Sequence, residues 1–160
     1  RDYVSLMPTN LYGPGDNFDL ETSHVLPAMI RKFHEAKENN HAKVTLWGSG
    51  SPMREFLHVD DLGQAVLFAL EHKLEEHLYN VGSGNDLTIK ALAEIIQKVV
   101  GHKGEVIWDD TKPDGTPKKL MDSSKLNAKG WKSIINLEKG IRTTYEWFLD
   151  HNESFKKIKF

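Results

Sequence analysis

One stretch limits the possible folds more than any other: Trp47-Gly48-Ser49-Gly50-Ser51-Pro52-Met53-Arg54-Glu55-Phe56-Leu57-His58-Val59-Asp60-Asp61. Val44 and Leu46 alternate into it as a strand, and Gly-Ser-Gly-Ser-Pro breaks that strand into a turn. Phe56, Leu57 and Val59 are expected to resume extended structure. Asp60 and Asp61 are expected to open a helix, since carboxylates ahead of an apolar periodic run cap orphan N–H groups and suit the helix dipole. The succession puts an indole, a guanidinium and small residues on one loop. Such a loop suits a flat, anionic ligand; it suits equally a tight connection in which Arg54 pairs with Glu55.

Around this centre the chain reads as one α/β domain. Its 160 residues suffice for a core without metal or disulfide staples. Lys and Arg number 21 against 23 Asp and Glu, a net charge of −2, so no global field argues for nucleic acid or anionic lipid. Cysteine is absent, which removes thiol chemistry and fits a reducing compartment. No apolar run approaches the ~18–20 residues of a membrane span.

Taken in order, Tyr3–Met7 reads as a buried strand ended by Pro8, and residues 9–17 as a loop dense in turn residues. Ser23 is expected to cap a helix that tolerates Pro27 in its first turn, with Leu26, Met29, Ile30 and Phe33 inward and Arg31, Lys32 and Lys37 solvated. Leu62, Ala65, Val66, Ala69 and Leu70 describe a second amphipathic helix. Leu78–Val81 is a short strand stopped by Gly82-Ser83-Gly84, and Thr88 caps a third helix closed by Gly101. Glu105–Trp108 is a strand, residues 112–119 a rigid basic loop, and Asp122 or Ser123 starts a short helix ended by Gly130. Ile141, Tyr145, Phe148 and Leu149 mark a last long helix, and the basic tail from His151 is expected to fray.

Several signals carry little chemistry. Both Gly-Ser-Gly triplets lack the third glycine of a dinucleotide fingerprint and read better as tight turns. None of the eight histidines forms a metal-binding pair at helical spacing, so no metal is expected. His58 reads as a core residue. His24 differs: it stands at a helix start beside a Gly/Asn-rich loop, where the positive dipole end favours a neutral ring, although a surface cap explains it as well. Trp108, Trp131 and Trp147 read as core. Trp47 ends its strand just before a glycine turn, placed to stack on a base or sugar.

Three blocks, Met7-Pro8-Thr9-Asn10-Leu11-Tyr12-Gly13-Pro14, Arg54-Glu55-Phe56-Leu57-His58-Val59-Asp60-Asp61 and Asn80-Val81-Gly82-Ser83-Gly84, resemble the C-terminal half of the extended short-chain dehydrogenase/reductases that act on nucleotide sugars. Within that superfamily Asp16-Asn17-Phe18, Ser23-His24-Val25-Leu26-Pro27-Ala28, residues 47–56 and residues 112–122 resemble the GDP-L-fucose synthases, NADP-dependent 3,5-epimerase/4-reductases. The resemblance implies a substrate-binding half with short mixed strands, packed helices and a leftover strand (Tyr3–Met7) of the nucleotide-binding sheet. That strand would present an unpaired apolar edge, open to another copy and hence to a homo-oligomer. By the same resemblance His24 is the acid/base for epimerisation, and Pro8, Thr9, Asn10 and Leu11, with His24, lie beside the nicotinamide of NADP. Lys32, Trp47, Arg54, Asp114 and Lys119 would hold the GDP-sugar.

The family's glycine-rich cofactor loop and Tyr-x-x-x-Lys pair have no counterpart here. Asp16 follows Tyr12 by four residues, and Leu149 follows Tyr145. The expectation is one C-terminal nucleotide-sugar-binding domain over residues 1–160, a piece of a longer polypeptide and inactive alone. Two readings stand beside it: another nucleotide-sugar epimerase or dehydratase of the superfamily, and a non-catalytic nucleotide-sugar-binding module with a structural His24.

Overall fold

Eight strands and five helices make up the fold among the described residues, 3–155, with side chains described through His151, in a computed structural model. The strands are β1 (Ser5–Pro8), β2 (Asn10–Tyr12), β3 (Lys43–Trp47), β4 (Met53–His58), β5 (Leu78–Val81), β6 (Asp86–Thr88), β7 (Glu105–Asp109) and β8 (Lys118–Lys119). The helices are α1 (Val25–Glu38), α2 (Val59–Glu71), α3 (Ile89–Val100), α4 (Ser124–Ala128) and α5 (Leu137–Phe155). The helical state of the tail therefore runs on from His151 to Phe155, and the expected fraying beyond that lies outside the described residues.

The strands form three small sheets of mixed sense, as expected. β1 pairs with β5 and β3 with β7, both in parallel. β4 is the hub of the third sheet: its first half pairs with β6 antiparallel and with β8 parallel, its second half with β2 parallel. The larger core lies where α1, α3 and α5 bury Leu26, Ile30, Phe33, Leu92, Ile96, Ile141 and Phe148 against Val44, Leu46 and Phe56. A smaller one joins Leu57, Ala65, Tyr79, Val81, Leu126 and Trp131.

Local chemistry moves several expected boundaries. Helix α1 is capped at His24 rather than Ser23, and Ser23 Oγ is buried without a partner among the described residues. Arg31 is not simply solvated, because its guanidinium donates to Phe18 O and Glu35. Asp60 and Asp61 do not cap α2. His58 does, its Nδ1 accepting the Asp60 N–H at 3.2 Å, and Val59 is already helical. Asp61 is buried instead and accepts the N–H groups of Ile134 and Ile135. Thr88 and Gly101 close α3 as expected, the glycine at φ 82°. The loops at 9–17 and 112–119 each contain a short strand, β2 and β8, formed because β4 offers backbone partners that no local pattern reveals.

The largest departure concerns two elements expected to be buried. The segment from Tyr3 through β1 is open: Tyr3 is 67% and Met7 51% exposed. Part of the apolar stripe of α2 is open as well, with Val66 at 44% and Leu70 at 79%, because Leu62, Ala65, Phe68 and the Asp61 carboxylate are the α2 groups that turn into the molecule. β1 has β5 as its one strand partner among the described residues, so the edge opposite β5 carries unpaired backbone groups.

At Gly82 the absence of a side chain is a packing requirement. A Cβ there would collide with the Glu55 carboxylate, which is wholly buried and cannot retreat. Gly82→Ala is expected to lower unfolding stability by about 1–3 kcal/mol, the usual cost of overpacking a filled interior. Urea unfolding measures it, and an unchanged midpoint would contradict the packing argument.

Stability should also depend on pH. Burial holds the imidazoles of His58 and His34 below their ordinary value of 6.5. The unfolded chain therefore takes up more protons than the folded one as pH drops through that value, and stability falls with it. Urea midpoints between pH 7.5 and 5.5 are expected to decline on acidification; a flat profile would refute this.

Candidate functional site

Two groups of side chains meet along β4 and β8. The first lines a cavity of about 700 Å³, within the range of small-molecule sites. Its wall is the segment Pro8, Thr9, Asn10 and Leu11, which crosses from β1 to β2. That segment is held rigidly: the Thr9 N–H donates to Val81 O, and the Asn10 amide donates to Glu55 O at 2.8 Å. With their polar ends tied back, these residues offer backbone and the apolar bodies of Pro8 and Leu11 to the cavity. His24 lines it from the start of α1, exposed and without a side-chain capping bond. Lys119, Leu120 and Met121 close the other side.

The second group surrounds Trp47. The indole is 65% exposed at the end of β3, and the ammonium groups of Lys32 and Lys112 lie 5.2 and 5.6 Å from its ring. Burial lowers the Lys32 pKa from its ordinary value, and its Nζ donates to Thr45 O. Gly48, at φ 79°, turns the chain immediately after Trp47, and a side chain there would strike Asp114. Asp114 uses its carboxylate on this turn: Oδ1 accepts the Ser49 N–H at 2.9 Å and Oδ2 the Ser49 hydroxyl at 2.6 Å. Those bonds pull its pKa below the ordinary carboxylate value.

Arg54 joins the two groups. It is paired in register with Lys119, and its guanidinium donates to Met53 O at 2.7 Å. It does not pair with Glu55, because successive residues of a strand face opposite ways and Glu55 turns inward. The sequence-predicted residues thus fall into two neighbouring sets: Pro8, Thr9, Asn10, Leu11, His24 and Lys119 in the cavity, and Lys32, Trp47, Arg54 and Asp114 around the turn.

Three residues escaped sequence reasoning. Glu55 accepts the N–H of Gly84 at 2.7 Å and of Met121 at 3.0 Å, so one buried carboxylate fixes both the Gly82–Gly84 turn and the cavity wall. A carboxylate directly before the apolar pair Phe56-Leu57 in a strand was the available signal. Asp16 lines the cavity and Lys112 attends Trp47; neither is distinguishable from a surface charge in sequence. Among the described residues no group of three or more His, Asp or Glu side chains could hold a metal ion.

The model of the NAD dependent epimerase/dehydratase family matches residues 1–82, more than half of the 160-residue chain. The chain belongs to this family. Members that it resembles include GDP-L-fucose synthase of Escherichia coli (strain K12), 52% identical over 165 residues, covering 98% of this chain and 51% of that protein. GDP-L-fucose synthase 1 of Arabidopsis thaliana is 56% identical over 148 residues, covering 92% and 46%. Among solved structures, a GDP-L-fucose synthetase from Naegleria fowleri bound to NADP superimposes with a TM-score of 0.87 at 30% identity, over 94% of this chain and 48% of that one. The chain spans about half the length of the curated relatives it matches. The α/β fold read from sequence is the family's fold, and a nicotinamide-dinucleotide dependence comes with the family description. No helix among the described residues is long and apolar enough to cross a membrane.

Proposed function

We propose that residues 1–160 form the nucleotide-sugar-binding part of a cytoplasmic GDP-L-fucose synthase, which converts GDP-4-keto-6-deoxy-D-mannose to GDP-L-fucose by 3,5-epimerisation and NADPH-dependent 4-reduction. The observation that carries this reading is the adjacency, through Arg54 and Lys119 on β4 and β8, of the His24 cavity and the cationic, aromatic surface at Trp47. A nucleoside diphosphate sugar needs both. Its base has a flat face for an indole, its diphosphate two charges for Arg54 and Lys32, and its sugar an acid/base group at carbon.

In this reading Trp47 stacks on the purine and Lys32, Arg54 and Lys119 neutralise the diphosphate. Asp114 contributes through a lone pair left free by Ser49, and by holding the turn. His24 removes and returns a proton beside the 4-keto group, an exchange suited to an imidazole near neutral pH. The apolar wall of Pro8 and Leu11, with its polar ends tied back, fits the nicotinamide of NADP. When bound, that group supplies the hydride for the 4-reduction, and most of its remaining contacts belong to a separate N-terminal half. Without that half the β1 edge is open, and a homo-oligomer of this chain alone through that edge is part of the proposal.

The experiment is complementation. A chimera in which the N-terminal half of the Escherichia coli relative precedes this chain should convert GDP-4-keto-6-deoxy-D-mannose with NADPH, while this chain alone should not. A folded chimera that binds NADPH and this substrate but leaves it unchanged would favour a non-catalytic module. Turnover of a UDP- or dTDP-sugar in its place would favour another epimerase of the superfamily.

A further inference from the structure

We infer that Gly115 is a positioning residue for Arg54: its bare Cα is the seat on which the guanidinium rests, and that seat aims the remaining N–H groups at the ligand phosphate. The inference rests on the reading of Arg54 as a diphosphate contact.

The Asp114-Gly115 corner has no conformational need for glycine, because Gly115 is not among the residues of positive φ. What a side chain there would meet is one group. A Cβ would come within 2.9 Å of Arg54 Nη2 and, its chain neighbours apart, of nothing else within 4 Å among the described residues. The corner is poorly placed to yield to such a contact. Asp114 ties it to the turn after β3 through the Ser49 N–H and hydroxyl, and the Met53 N–H donates to Pro117 O at 2.8 Å. Pro113 and Pro117 stiffen the backbone between these ties. The guanidinium is what would move.

Arg54 is in turn held on two sides. Its Nη1 donates to Met53 O at 2.7 Å, and its Nη2 lies against Gly115. Both supports belong to one framework, since Met53 is bonded to Pro117 through its own N–H. A planar fork held at both η nitrogens presents its other N–H groups in one direction, as a geometrically specific phosphate contact requires. A preset fork also avoids the entropy loss of ordering a loose arginine on the ligand.

The test uses the chain itself, with GDP as the probe. Gly115→Ala should fold with a urea midpoint no lower than the parent's. The added methyl meets only the movable end of a side chain, and alanine restrains the unfolded chain more than glycine does. The Arg54 Nε resonance, identified by its loss in Arg54→Ala, should shift in Gly115→Ala. Calorimetry should give a GDP affinity about 3- to 10-fold lower, a fraction of the loss expected when the guanidinium is removed. Substitutions that act through one contact are not additive. In the Arg54→Ala background, Gly115→Ala should therefore change GDP affinity by less than about twofold. A glycine needed only by the fold would lower the midpoint, and its effect on binding would persist without Arg54. Either result, or an Nε resonance that stays in place, would overturn the inference. If Arg54→Ala binds GDP as the parent does, the phosphate reading is what fails, and a shifted Nε resonance would still establish the seat.

Discussion

In the chimera with the Escherichia coli N-terminal half, His24→Asn is expected to slow deuterium uptake at the epimerised carbons by about 10²–10⁴-fold, the usual contribution of a positioned acid/base group. GDP affinity should stay nearly unchanged, because the Trp47 surface is built from β3, the Gly48–Ser51 turn and the 112–114 segment rather than from the start of α1. The variant should also fold. His24 is exposed, makes no side-chain capping bond, and asparagine is among the best helix caps. Those facts make the substitution informative: a structural histidine in this position would have little to lose. Mass spectrometry of substrate incubated in heavy water reads the exchange directly. Parent-like exchange in the folded variant would remove His24 from the chemistry.

The second large effect is expected at Arg54. A charge-assisted hydrogen bond to a phosphate contributes about 1.5–3 kcal/mol, so Arg54→Ala should weaken GDP binding by roughly 10- to 150-fold. The fold should tolerate the change, since the guanidinium's one described hydrogen bond is to the adjacent Met53 O, within its own strand. Calorimetry on the chimera gives the number. If Arg54→Ala binds GDP as the parent does, the diphosphate is not held here.

How legible was all this in sequence? Periodic elements were read nearly to the residue. Thr88 and Gly101 bound α3, and Leu26, Met29, Ile30 and Phe33 form the inward face of α1, because capping and stripe patterns are local. What escaped was non-local. β2, β6 and β8 are three, three and two residues long, and they are strands only because β4 runs beside them. Likewise His58 took the cap position from Asp60 and Asp61 because Ile134 and Ile135, more than seventy positions away, claim the Asp61 carboxylate. The burial of β1 and of the α2 stripe was overestimated for the opposite reason. Tyr3, Met7, Val66 and Leu70 have the apolar pattern of covered residues, and nothing among the described residues covers them.

The site divides in the same way. His24, Trp47 and Arg54 stood out through position and residue type, and their separation into a cavity and a neighbouring aromatic surface needed the pairing of β4 with β8. Lys112 and Asp16 sit among other charged and turn residues, where no spacing rule marks them. Glu55 was visible as a carboxylate within an apolar strand, yet its partners at Gly84 and Met121 lie 29 and 66 positions away.

The most direct measurement is a titration of the unmodified chain with GDP and, separately, UDP, followed through the Trp47 indole N–H by NMR. Every residue proposed to hold the nucleotide lies in this chain, so the site should be present without any other half. The account predicts that GDP shifts the Trp47 resonance and binds at least about tenfold more tightly than UDP, a difference of about 1.4 kcal/mol. A folded chain whose Trp47 signal ignores GDP, or answers UDP equally well, would contradict it.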